Sequence, residues 1–110
     1  MGSFVNLLDY QWKTNKPFES LFAAGFKVTR DEDLKRTSVI ATDLVCNMFV
    51  DSETREVRFE VKTFSGDTYP LFYRRDVNDP FYFYLHKRVA ELLKRLGAKP
   101  IYNKVGSSYN

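Results

Sequence analysis

Between residues 57 and 62 apolar and charged side chains alternate without a break: Val57, Phe59 and Val61 against Arg58, Glu60 and Lys62. A period of two is the mark of a strand with one buried face and one solvated face. Such a strand needs neighbours to pair with and a layer to cover its apolar side. The sequence supplies the cover near its end. Asp79 is a good helix N-cap and Pro80 suits a first helical position. Phe81, Leu85, Val89, Leu92 and Leu96 then trace an apolar stripe, Lys94 and Arg95 sit where the helix dipole favours cations, and Gly97 closes the element. In the aromatic run at its start, this periodicity buries Phe81 and one of Tyr84 and Leu85, and leaves Tyr82 and Phe83 as candidate surface aromatics.

A second, shorter helix is predicted over residues 17–24, opened by Pro17, with Phe18, Leu21 and Phe22 at helical spacing and Gly25 as its stop. Residues 26–30 and about 38–50 read as strands, with 31–36 as a charged connector. Residues 51–55 read as a hairpin turn. A strand over 69–73 is optional, with Pro70 placing it at an edge, and residues 99–104 form a last strand. Residues 4–12 fit either a short strand or a helical turn. The expected fold is therefore α+β: a single compact domain of order α-β-β-β-(β)-α-β, with a small central sheet flanked by two helices. The domain is expected to cover residues 1–105, with 106–110 as a flexible tail.

Charge and cysteine content narrow the class. Net charge is +3, but residues 56–110 carry ten basic and six acidic side chains while residues 1–55 carry seven and eight. A mild basic bias in one half is compatible with a phosphate-rich partner. Cys46 is the single cysteine, which excludes a disulfide framework within the chain and a cysteine-based zinc site. Its apolar neighbours make it a small core residue, and an intracellular, cytoplasmic setting is the expectation. No stretch approaches the ~20 apolar residues that span a bilayer, so no membrane partner is expected.

The same alternation carries the candidate chemistry. Glu60 and Lys62 project into one space from one strand face, and Asp43 lies on the preceding strand, in the run Thr42-Asp43-Leu44-Val45. Two carboxylates on adjacent strands suit Mg²⁺, and a lysine beside them can orient water or offset charge on a phosphate. The run Asp43-Leu44-Val45 followed by Phe59-Glu60-Val61-Lys62 resembles the core of the PD-(D/E)xK nuclease superfamily, closest to small Holliday-junction-resolvase-like and VRR-NUC-like members. The order of elements matches over about residues 17–104. The resemblance implies Asp43 and Glu60 as metal ligands, Lys62 as the catalytic lysine, Glu19 on the first helix as an auxiliary acid, and Mg²⁺-dependent hydrolysis of phosphodiester bonds. Thr42 stands where the family has proline, and residues 81–96 contain no glutamine. Junction-cleaving relatives are dimers, which leaves a homodimer open.

Hairpin register decides whether the two carboxylates meet. They are opposed only if paired residue numbers sum to 103, which demands a tight turn at Asp51-Ser52. The run Asp51–Glu56 suits a longer loop and a sum of 107, which offsets Asp43 from Glu60 by roughly 13 Å at ~3.3 Å per residue. Both registers keep Leu44, Cys46, Val57 and Phe59 on one face, so patterning does not choose.

A second function class stands beside the enzyme. Arg74, Arg75, Lys87, Arg88, Lys94 and Arg95, interleaved with the aromatic run Phe81–Tyr84, form a candidate nucleic-acid-binding patch. Such a surface also suits a regulator or inhibitor that binds a protein or nucleic acid without catalysis. His86 is the only histidine, so zinc or serine-hydrolase chemistry has no support.

Overall fold

A computed structural model describes residues 6–101. The proposed tail, the opening residues and the end of the last predicted strand lie outside them. Six strands form one sheet of order β2-β3-β4-β5-β1-β6: β1 (Gln11–Lys13), β2 (Lys27–Val28), β3 (Leu34–Ala41), β4 (Leu44–Val50), β5 (Glu56–Thr63) and β6 (Lys99–Ile101). Every neighbouring pair is antiparallel. Helices α1 (Phe18–Ala23) and α2 (Pro80–Arg95) complete an α+β domain, as expected. No helix among the described residues is long and apolar enough to cross a membrane.

Both helices cover the same face of the sheet. Leu34, Leu44, Cys46, Met48, Val50, Val57 and Val61 point to it and form one buried cluster with Leu21 of α1 and Leu85, Val89, Leu92 and Leu93 of α2. Cys46 is fully buried there, and burial pushes its thiol up to about 12. The domain is thus two layers, and the outer face of the sheet carries the polar side chains of β5 together with Val39, Val45 and Phe49 from β3 and β4.

Helix α2 begins at Pro80 with the Asp79 carboxylate accepting from Phe81 N–H at 2.8 Å. Its buried stripe differs from the predicted one at the start. Tyr82 is fully buried while Phe81 and Tyr84 are exposed. The cause is the segment before the helix. Pro70–Tyr73 is a 3-10 turn, not a strand, because Pro70 pre-sets a helical φ and cannot donate to a ladder. This turn drops Phe72 into the core, stacked on His86 at 4.3 Å, and its C-cap Arg74 offers a carbonyl to the Tyr82 hydroxyl at 2.6 Å. The same turn closes the upper edge of β5: Val61 N–H donates to the Tyr73 hydroxyl, and Tyr69 N–H to the Val61 carbonyl.

Two further differences concern the strands. The single strand expected over 38–50 is a hairpin, β3 and β4, that turns at Thr42-Asp43. Residues 34–36, read as connector, belong to β3. The ambiguous N-terminal segment is both a 3-10 turn at Leu7–Asp9 and the short strand β1, which bridges β5 and β6.

Candidate functional site

The β4–β5 register has paired numbers summing to 107: Leu44 faces Thr63, Asn47 faces Glu60 and Val50 faces Val57. The loop chemistry explains the choice. The Asp51 carboxylate accepts from Glu53 N–H at 2.8 Å and Thr54 N–H at 2.9 Å, and these bonds hold its carboxyl below the ordinary range. Arg55 takes a left-handed conformation and returns its N–H to the Asp51 carbonyl at 2.9 Å. A turn centred on Asp51-Ser52 would forfeit all three bonds.

This register separates the predicted metal ligands. Asp43 sits at the tip of the β3–β4 turn with φ 63, and Glu60 faces Asn47, four residues further along β4. That offset is roughly 13 Å along the strand, beyond the reach of two carboxylates sharing a cation with bonds near 2 Å. Glu19 lies exposed in the first turn of α1, on the helical side of the sheet, while Glu60 and Lys62 project from the outer side. No group of three or more metal-ligating side chains occurs among the described residues. The arrangement of Asp43 and Glu60 does not fit a shared Mg²⁺.

What surrounds Glu60 is a polar chain across three strands. Thr37 donates to the Asn47 side-chain oxygen at 2.5 Å, Asn47 Nδ2 donates to Glu60 Oε2 at 3.0 Å, and Lys62 Nζ stands 3.7 Å from the same oxygen. Asn47 is buried although it lies on the outer face. Its amide is satisfied on both ends, which makes it a strut rather than a reactive group.

The pairings place a wider set of side chains on this outer face. Lys27 is opposite Lys35, Lys35 opposite Phe49, Phe49 opposite Arg58, Val45 opposite Lys62, and Lys13 opposite both Glu56 and Lys99. Six cations thus share the face with three carboxylates, Glu56, Glu60 and Asp33, the last reaching Arg58 from just before β3. Phe49 is at its centre, half-buried, with Lys35 Nζ 5.6 Å and the Arg58 guanidinium 5.2 Å from its ring centroid. Two lysine pairs, Lys27–Lys35 and Lys13–Lys99, are directly opposed across strands. Like charges in that position destabilise a sheet, and nothing in the fold itself requires them. Of the six, only Arg58 and Lys62 have carboxylate partners among the described residues: Asp33 at 3.6 Å and Glu60 at 3.7 Å.

The patch proposed from the sequence is divided. Arg74 caps the 3-10 turn, and Arg75 pairs with Asp9. On α2, Arg88 pairs with Glu91 at 3.1 Å, while Lys87, Lys94 and Arg95 are exposed. These residues belong to the helical side of the domain, away from the sheet's outer face. Lys13, Lys27, Lys35, Arg58 and Lys99 were not distinguishable in the sequence as a group, because they arrive from five different strands. The local signal was present only as polar residues alternating with core residues.

Comparison of the chain with protein-family models, with curated proteins and with solved structures finds no match, so its site is defined by its own geometry.

Proposed function

We propose that this protein is a non-enzymatic binding module for nucleic acid, and that the outer face of its sheet is the contact surface. One observation carries the reading: six cations against three carboxylates on a single open sheet face, including two lysine pairs held opposite one another. A polyanion relieves that repulsion and gains from releasing its own counterions. Phe49 and the Arg58 guanidinium beside it offer flat groups for base stacking. The face lacks a groove-filling helix or ribbon, which favours a single strand over a duplex read through its major groove. Lys62 then acts as a phosphate contact, and Glu60 and Asn47 set its position.

The test is anisotropy of labelled single-stranded DNA and RNA against salt. Engaging about four phosphates predicts a slope of log K on log salt near −3, at ~0.7 per contact. Lys35→Ala with Arg58→Ala should flatten the slope by about 1.4. Lys87→Ala with Lys94→Ala, on the opposite side, should leave it unchanged. Salt-independent binding, or none by a folded sample, would reject nucleic acid and direct the search to a protein partner.

A further inference from the structure

A cleft opens between α1, β3, β4 and the end of α2, on the helical side and distinct from the outer sheet face. It holds a void of about 100 Å³, within about 500 Å³ of empty space that includes its mouth. Its floor is apolar, built from Leu21, Phe26, Met48 and Leu92. Three cations line it, Lys16, Arg36 and Arg95, and no carboxylate does. Arg36 is the unusual member. It is half-buried on the core-facing side of β3, opposite Met48, and its side chain makes no ion pair or hydrogen bond among the described residues. Gly25 lies beside it, and a Cβ there would make only an ordinary van der Waals contact with Arg36 Nε at 3.5 Å. A guanidinium at an apolar cleft with no carboxylate beside it is open to an incoming anion, with which it forms charge-assisted hydrogen bonds.

We infer that this cleft binds a small organic carboxylate whose apolar body is about the size of one ring. The void sets that limit, since a cavity of roughly 150 Å³ encloses a whole benzene; here a ring enters partly and leaves its head at the mouth. The planar guanidinium of Arg36 matches a carboxylate with two parallel hydrogen bonds, and Lys16 and Arg95 add charge at the rim. An apolar pocket with a few convergent polar groups is the usual form of a small-molecule site.

The experiment follows the Met48 methyl carbon by NMR in protein labelled at methionine, with benzoate, benzyl alcohol and phenyl phosphate as probes. The expected result is a saturable Met48 shift with benzoate at a dissociation constant below about 1 mM, and at least ~10-fold weaker binding of benzyl alcohol, from loss of the charge-assisted bonds. Arg36→Met should bring benzoate down to the level of the alcohol. If that variant does not fold, Lys16→Gln with Arg95→Gln, both at the rim, should weaken benzoate several-fold and leave the alcohol unchanged. Equal affinity for benzoate and the alcohol, a benzoate shift that survives the charge removals, or no shift at Met48 would overturn the inference. Phenyl phosphate binding more than 10-fold tighter than benzoate would overturn the carboxylate assignment.

Discussion

Replacing Glu60 by Gln separates a binding face from a catalytic one, because the two predict opposite signs. Glu60 Oε2 accepts from Asn47 at 3.0 Å and stands 3.7 Å from Lys62 Nζ. Glutamine keeps an acceptor oxygen for Asn47 and removes only the charge. Side chains 34% and 31% exposed form a screened pair, worth less than ~1 kcal/mol, so the melting temperature should barely move. Binding should improve. A phosphate ~8 Å from the lost charge gains roughly 0.5 kcal/mol in water, a two- to threefold change, and about fivefold if two phosphates lie that close. Lys62→Ala should act the other way, weakening binding and lowering the salt slope by about 0.7. The assay is anisotropy of a single-stranded oligonucleotide at two salt concentrations, run beside a Mg²⁺ cleavage assay on the same strands. Weaker binding by Glu60→Gln, or cleavage by the wild type that both variants abolish, would contradict a purely electrostatic role for Glu60 and restore the carboxylate to a metal-binding one.

Three other outcomes follow from the core. Leu85 is fully buried between α2 and the sheet, so Leu85→Ala should cost about 2–5 kcal/mol in a denaturant titration. His86 donates Nε2–H to the Phe72 carbonyl at 2.9 Å, stacks on the Phe72 ring, and burial holds its pKa below the ordinary 6.5. The unfolded chain therefore takes up a proton first, so stability should be full above pH 6.5 and decline as pH falls below it; melting temperatures from pH 8 to 5 check this, and His86→Gln should flatten that part of the profile. Cys46, buried with its thiol pushed up to about 12, should react with a thiol reagent only after unfolding, and rapid modification of native protein would contradict its placement.

What the sequence reveals follows from how local each signal is. Helix α2 is legible from Asp79 to Gly97 because cap, proline, stripe and stop all lie within one segment. The β5 alternation is legible for the same reason. The Thr42-Asp43 turn is not, because it carries no glycine and interrupts an apolar run; Asp43 reaches φ 63 with its own backbone, and Phe64 N–H holds its carbonyl at 3.1 Å. Strand β1 is three residues long and owes its form to partners near residues 57 and 100. Tyr82 is buried against helical expectation because a remote carbonyl, Arg74, satisfies its hydroxyl. The separation of Asp43 from Glu60 rests on the hydrogen bonds of one loop aspartate, which hydrophobic patterning does not register. The basic face is the least legible of all, since it exists only once five strands are aligned.

The most direct measurement is backbone amide chemical-shift mapping as a single-stranded oligonucleotide is added to isotope-labelled protein. Shifts should cluster at Lys27, Lys35, Thr37, Phe49, Arg58 and Lys62 and fade as salt is raised, with Lys87 and Lys94 on α2 unmoved. Shifts centred on α2 and Arg74, with the sheet face silent, would contradict it.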